Sequence, residues 1–305
     1  MQSWVLLGAT ATGKGSVALE LADRYPVEIV SVDSMKVYRG MDIGTAKPPE
    51  DERRRVPHHM MDVMEPDEKC DVGQFYRRAH EVIEDIKDRG KRPLLVGGSA
   101  LYLKALIWGL FEGPDSSEEL REKLRAEADE KGRHALHDRL KSVDPVSADK
   151  IHPNDLKRIV RALEVYELTG QPLSEQQNED FGSEPELDCR IVGLWWPREQ
   201  LHDRIEKRVQ RMLEQGLEEE VRTLRGRLGP QASQAVGYKE LMRYLDGEID
   251  RSEAVRLIKR NTRRLAKNQE TWFRKFPDVH WIDVSQYEGN SSRVADVARA
   301  HFGAK

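Results

Sequence analysis

Two textures alternate along the chain. Short apolar or β-branched runs end in glycine or small polar residues: "WVLLG" from Trp4 to Gly8, "VEIVSVDS" from Val27 to Ser34 and "RPLLVGGS" from Arg92 to Ser99. Longer stretches with helical spacing lie between them, one running through about Phe75 to Asp88. Strands alternating with helices imply a parallel sheet with right-handed crossovers. "CRIVGLWW" and "VHWIDV" read as later strands of the same sheet. From about Pro114 to Gln177 the pattern is helical throughout, with Leu120/Leu124 and Leu156/Ile159/Val160/Leu163/Tyr166 recurring at helical intervals and no convincing strand. The polar stretches "EGPDSS" and "NEDFGSEPE" bound it as linkers. The expected architecture is an α/β core with a parallel sheet, residues 1–113 and 184–305, carrying an inserted, mostly helical domain, residues 114–183.

Composition narrows the setting. The 305 residues are 38% hydrophobic and 34% charged, a polar but globular balance, and no stretch approaches the apolar length that crosses a bilayer. The N-terminus lacks the basic flank and long apolar core of a secretory signal. The two cysteines, Cys70 and Cys189, form no CxxC pair, so neither a disulfide framework nor a cysteine zinc site is indicated. A chain working in the reducing cytoplasm, without a membrane and as a monomer, is expected. A net charge of −4 argues weakly against a nucleic-acid partner, but the average hides a basic segment. Arg251 to Lys275 carries nine Lys or Arg and two acids. On a helical wheel Arg256, Arg260, Arg263, Lys267 and Arg274 fall on one side, with Ala254, Ile258, Leu265 and Trp272 opposite. That predicts one face on the core and one offered to phosphates.

The run "GATATGKGS" directly after the first strand is a G-x-x-x-x-G-K phosphate loop of the nucleotide-binding type. Its glycines let the backbone curl so that N–H groups point at a polyphosphate, while Lys14 and the helix N-terminus add positive charge. Gly15 stands where the motif has Ser or Thr, and Ser16 comes one residue late. The loop does not reveal which compound carries the phosphates. Asp33 ends the second strand on the same sheet edge, where a carboxylate can take a proton, hold a metal or cap a turn. Ser99 ends another strand there, with a hydroxyl that could donate to a leaving oxygen. His58 and His59 are adjacent, a poor spacing for joint metal ligation, so a structural role is expected.

At "DSMKVYRGMDIGTAKP" the chain resembles the tRNA dimethylallyltransferases, also called tRNA isopentenyltransferases. The resemblance continues through "VPHHMMDVMEP", "LLVGGSALYLKAL", "HPNDLKRIVRALEVYELTGQPLS", "RIEKRVQRMLEQGLEEEV", "QAVGYKEL" and "AKNQETWFR". It implies transfer of a dimethylallyl group from dimethylallyl diphosphate to N6 of the adenosine 3′ to the tRNA anticodon, position 37, with Mg²⁺ and a P-loop core. It implies that Asp33 is the general base and that Ser99 donates to the bridging oxygen of the leaving diphosphate. Gly8, Ala9, Thr10, Ala11, Thr12, Gly13, Lys14 and Gly15 would hold the diphosphate, joined by Arg204 and Arg208. It places tRNA contacts at Asp33, Ser34, Met35 and Lys36, at Lys157, Arg158, Ile159, Val160 and Arg161, and at Gly237 and Tyr238; the basic face adds Arg260, Arg263 and Lys267. Without a hydroxyl at position 15, Mg²⁺ is expected mainly on diphosphate oxygens and water, with Ser16 as the candidate protein ligand.

Three other functions share parts of this pattern. A small-molecule P-loop kinase would need ATP, and Gly15 removes the hydroxyl that usually binds its magnesium. An adenylate isopentenyltransferase would need neither the helical insertion nor the basic helix. An inactive RNA-binding remnant would have no use for Lys14, Asp33 and Ser99 together.

Overall fold

The computed structural model describes residues 1–110, 113–114, 116–176 and 184–303. Within the two expected linkers, Glu112, Asp115 and residues 178–183 lie outside the described residues. The chain divides into two compact units, residues 1–109 with 185–305, and residues 110–184.

The first unit begins β1 (Ser3–Gly8), α1 (Lys14–Arg24), β2 (Val27–Val32), α2 (Glu50–Arg55), β3 (His58–His59), α3 (Val72–Asp88), β4 (Arg92–Gly97) and α4 (Ala100–Trp108). The second unit holds α5 (Glu118–Lys131), α6 (Arg133–Val143), α7 (Pro145–Lys150), α8 (Leu156–Thr169) and α9 (Leu173–Gln176). The first then resumes with β5 (Cys189–Trp195), α10 (Arg198–Glu214), α11 (Leu217–Leu224), α12 (Tyr238–Leu245), α13 (Arg251–Phe273), β6 (Val279–Asp283) and α14 (Ser291–Phe302).

Six parallel strands form one sheet in the order β3-β2-β4-β1-β5-β6. β1 and β2 are buried at every position, as their unbroken apolar runs require in a sheet covered on both faces. Trp4 fixes one side of the core, its ring stacked on Phe302 of α14 at 4.7 Å between centroids. The order matters for function: β4 lies between β1 and β2, so the chain ends that follow all three meet at one edge of the sheet.

The structure extends one reading of the sequence, the structural role of His58 and His59, and changes another. His58 and His59 form a short strand paired to Ile29 and Val30, an element too brief to show periodicity. His59 Nε2 lies 2.7 Å from the Glu28 carboxylate, which also takes two hydrogen bonds from Arg89. The Arg89 guanidinium holds Glu28 down at about 2. The changed reading concerns α13. Its buried residues are Ala254, Leu257, Ile258, Thr262, Ala266 and Phe273, whereas Leu265 and Trp272 are 40% and 43% exposed. The wheel assumed one covered face, but the strip carrying Leu265 looks onto an open cleft.

The second unit has its own apolar core, built on Leu124, Leu136, Leu140, Ile159 and Leu163. Beside it the fully buried Glu164 accepts from Ser117 N at 2.8 Å, Arg121 at 2.9 Å and Arg161 at 2.7 Å. Burial pushes this carboxyl up, but the two guanidinium groups and the amide outweigh it and hold it below its ordinary value. Glu164→Ala should destabilise the protein by about 3 kcal/mol, the low end for removing one partner of a buried pair because both arginines keep some solvent. The pair's contribution is complete above the unfolded carboxyl's range and is lost as pH falls through the depressed folded value. Urea unfolding of wild type and variant at neutral and acid pH measures both effects, and the gap between them should shrink in acid.

Candidate active site

Along the sheet edge after β1, β2 and β4 lies a cleft of about 950 Å³. The phosphate loop forms one wall. Gly8 has no room for a side chain, since a Cβ there would sit 2.5 Å from the Leu194 carbonyl oxygen. Gly13 adopts φ 98°, a left-handed turn that lets α1 start at Lys14. Among the described residues no acceptor occupies the backbone N–H groups of Ala11, Gly13, Lys14 and Gly15. Those of Thr10 and Thr12 are engaged, the first by Gln269 Oε1 at 2.8 Å and the second by Ala9 O at 3.4 Å. Thr12 is also fully buried, its hydroxyl donating to Ala9 O. The eight-residue expectation for the loop thus narrows: Gly8, Ala9, Thr10 and Thr12 shape it, and the other four present free donors.

Two side chains brace the loop from the β5–α10 side. Trp196 Nε1 donates to Thr12 O at 3.0 Å, and Arg204 Nε donates to Ala11 O at 2.9 Å. The Arg204 guanidinium lies 4.2 Å from the Trp196 ring centroid. Arg204, expected on diphosphate, lines the cleft and spends its Nε–H on the loop's backbone, while Arg208, one turn on, lines the cleft with no ion-pair partner among the described residues.

Lys14 points its ammonium at Ala9 O, 2.6 Å away, and has no carboxylate partner among the described residues. Burial lowers it to about 7, with help from the positive charges of Arg208 and Lys36 and against the pull of Asp33. Lys36 is lowered to about 8, again by burial first, opposed by Asp33 and reinforced by Arg208 and Lys47. Three cations thus share one recess, and Asp33 is the carboxylate that acts on all of them. Each is disfavoured in its charged form until an anion arrives.

Asp33 divides its two oxygens. Oδ1 accepts from Met35 N at 2.9 Å and Lys36 N at 3.4 Å, so the carboxylate does cap the turn that follows β2. Oδ2 has no hydrogen bond among the described residues. The turn-capping and chemical readings are compatible: one oxygen fixes the group and the other is available. Ser99, the N-cap residue of α4, lies beside it; its Oγ accepts from Ser34 N at 3.0 Å. No cluster of three metal-ligating side chains occurs among the described residues. A Cβ at Gly15 would meet nothing within 4 Å, so the missing hydroxyl reflects no steric limit, and Ser16 also lines the cleft.

The opposite wall is the segment Asp42 to Lys47, held by groups sequence reasoning missed. The Glu220 carboxylate accepts from the amides of Asp42, Ile43 and Gly44 at 2.9, 2.7 and 3.0 Å, and from the Tyr238 hydroxyl. Gly44 is glycine because the Tyr238 ring fills the space of any side chain. Lys47 is buried and donates to Tyr38 O at 2.6 Å and to Asp42 and Asp62. Glu220 was hidden in the acidic run 218–220, where each carboxylate reads alike.

Several expected tRNA contacts are corrected by burial. Tyr238 is 0% exposed, Ile159 0% and Val160 4%, so none presents its side chain to a partner. Arg161 is tied to Glu164 and to Pro114 O. Lys157 and Arg158 of the same run are exposed. On α13, Arg263 pairs with Glu206 at 2.7 Å and Arg256 with Glu253 at 2.6 Å. Arg260, Arg264 and Lys267 have no acidic partner among the described residues and share a face at i, i+4 and i+7. Gly237, at φ 100°, starts α12. Ser34, Met35 and Lys36 all remain partly exposed, the last two along the cleft.

Comparison with known proteins identifies the family. A family model described as IPP transferase matches residues 36–276. A tRNA dimethylallyltransferase of Dictyoglomus turgidum is 50% identical over 289 residues, which is 93% of this chain and 87% of that protein. Among solved structures, the full-length tRNA isopentenylpyrophosphate transferase of Bacillus halodurans has a TM-score of 0.68 at 38% identity, covering 98% of this chain and 99% of that one. A eukaryotic dimethylallyltransferase acting on tRNA has a TM-score of 0.81 at 29% identity, covering 96% and 77%. The chain belongs to the IPP transferase family, that of the tRNA dimethylallyltransferases.

Proposed function

We propose that the cleft transfers the dimethylallyl group of dimethylallyl diphosphate to N6 of tRNA adenosine 37, using Asp33 as base and the phosphate loop as leaving-group site. One observation carries this reading: cations without an ion-pair partner among the described residues and free loop amides converge on a recess beside the Asp33 carboxylate, which keeps one oxygen free. A diphosphate satisfies the first set and an amine proton satisfies the second.

The step balances as follows. The N6 nitrogen forms a bond to C1 of the allyl group while the C1–O bond breaks. The electron pair of that bond goes to the diphosphate oxygen, and the N6 proton goes to Asp33 Oδ2. An exocyclic adenine amine is a weak nucleophile because its lone pair is delocalised into the ring, so a positioned carboxylate matters as the proton leaves. Charge growing on the bridging oxygen meets the amides of Ala11, Gly13, Lys14 and Gly15, the Lys14 and Arg208 cations and the Ser99 hydroxyl. Lys36 is placed to serve the same anion. The target base must leave the anticodon-loop stack to reach the cleft. Arg260, Arg264 and Lys267, with Lys157 and Arg158 of the second unit, supply the phosphate contacts that hold the RNA. Ser34, Met35 and Gly237 would border the extruded base.

Mg²⁺ fits this site as an ion carried on the diphosphate rather than in a protein cage, with Ser16 offering a hydroxyl. Bound there, it would supply charge neutralisation to the leaving group. No described helix is long and apolar enough to cross a membrane. We assign the work to a monomer in the cytoplasm.

The direct test is mass spectrometry of a target tRNA incubated with enzyme, Mg²⁺ and dimethylallyl diphosphate. Wild type should add one dimethylallyl group to the nucleoside at position 37. Asp33→Asn should cut turnover by about 10²–10⁴-fold with tRNA affinity nearly unchanged. Turnover within a few-fold of wild type would remove Asp33 as the base.

The lowered lysines give diphosphate binding a proton linkage. Bound anion favours their charged forms, so binding should be strongest below about 7 and weaken as pH rises through about 7 and 8. Calorimetry with inorganic diphosphate at pH 8, in buffers of different ionisation heat, should show net proton uptake. Uptake should shrink in Lys36→Met.

Charge reversal of Arg260 and Arg264 should weaken tRNA binding and flatten its salt dependence by roughly one unit of slope per lost phosphate contact. Affinity for dimethylallyl diphosphate should stay put. An unchanged salt slope would take this face off the RNA surface.

A further inference from the structure

One side chain in the cleft touches neither the loop's cations nor Asp33, yet it joins the two strand ends on which both depend. Gln269 lies on α13, on the same cleft-facing strip as Ile258, Thr262 and Leu265. Its Oε1 accepts from Thr10 N at 2.8 Å, and its Nε2 donates to Gly98 O at 2.9 Å. Thr10 belongs to the phosphate loop after β1. Gly98 lies between the end of β4 and Ser99. A single amide therefore spans the two segments with both of its polar ends in use. The fit is close: a Cβ added at Gly98 would lie 2.6 Å from Gln269 Nε2.

We propose that Gln269 is a positioning residue that fixes the phosphate loop relative to the Ser99 turn. The inference rests on the reading above, in which the loop and Ser99 act on one diphosphate. Free loop amides bind the anion only while the loop keeps its curl, and Ser99 serves the leaving oxygen only at a set distance from that curl. β1 and β4 are paired through Leu7 and Gly97, but beyond that point, among the described residues, no backbone hydrogen bond ties one segment to the other. The amide supplies that tie. Glutamate cannot replace it, because a carboxylate has no donor for Gly98 O. Asparagine is one methylene too short to reach both partners from the same helix position. A shift of about 1 Å in such a support is enough to cost on the order of 10²-fold in rate.

The test is a double-mutant cycle on Gln269→Ala and Gly98→Ala, with steady-state constants for each substrate and thermal melts for every variant. Wild-type transfer is measured first; its absence would sink the proposed reaction rather than this inference. Given an active wild type, Gln269→Ala should raise KM for dimethylallyl diphosphate and lower kcat, together by about tenfold or more in kcat/KM. KM for tRNA should stay within about twofold, and the melting temperature should hardly move. Gly98→Ala should also impair wild type, because its methyl group displaces the amide, but should add no further loss in the Gln269→Ala background. Gln269→Glu should behave like the alanine variant. The proposal fails if Gln269→Ala leaves kcat/KM for dimethylallyl diphosphate within about twofold of wild type, or if the two substitutions are simply additive. It fails as well if both substrates lose affinity equally along with the melting temperature, since that pattern marks a fold-stabilising contact.

Discussion

Uncompensated positive charge is the constraint around which this molecule is arranged. Lys14, Lys36 and Arg208 are partly withdrawn from solvent into one recess, and the Asp33 carboxylate is the acid that acts on all three. Mutual repulsion and lost hydration both oppose that arrangement, so the scaffold around it must be stiff. The stiffness is visible. Arg204 and Trp196 clamp the loop carbonyls, Glu220 gathers three consecutive amides of the facing wall, and Lys47 is buried against two carboxylates. Outside the cleft many charges of the described chain form ion pairs, as Arg24 does with Glu20 and Asp296. A site kept short of anions in its resting state is one that gains most when a polyanion enters.

Much of this was legible in the residues. The first phosphate-loop strand, its loop and the helix that follows are a local pattern, and Asp33 and Ser99 stand where apolar runs stop. What periodicity could not supply was neighbourhood. That β4 inserts between β1 and β2, bringing Ser99 against the Asp33 turn, is a fact of strand order, and strand order leaves no local trace. A two-residue strand such as β3 is likewise too short for any alternation to register.

The misreadings have a common physical origin. A wheel drawn for α13 treats every apolar residue as core-facing, yet Leu265 points to an open cleft that only the fold creates. Motif blocks shared with a family read as contact surfaces, but the side chains of Tyr238, Ile159 and Val160 are interior. The segment Met41 to Pro48 shows why such blocks mislead. Its glycine, threonine and lysine answer to Tyr238, Met41 O and the Asp42 and Asp62 carboxylates, so their identities are set by the wall they build. Gln269 is the converse case, a polar residue on a basic helix that sequence alone would hand to solvent.

The strand order also bears on how the protein is made. β1 sits between β4 and β5, and the whole helical unit is synthesised between those two strands. With roughly ninety residues from the end of β4 to the start of β5, a ribosome adding about 5–20 residues per second leaves β1 with one open edge for between roughly 5 and 20 seconds. An apolar parallel edge of that kind is prone to pair with the wrong chain. The intervening unit carries its own buried core, so it can collapse while the sheet waits. Trp4, sealed at last by Phe302 of the final helix, stays without its stacking partner until nearly the whole chain has emerged. Nascent chains stalled before β5 are therefore where this protein is most exposed to chaperones and to aggregation.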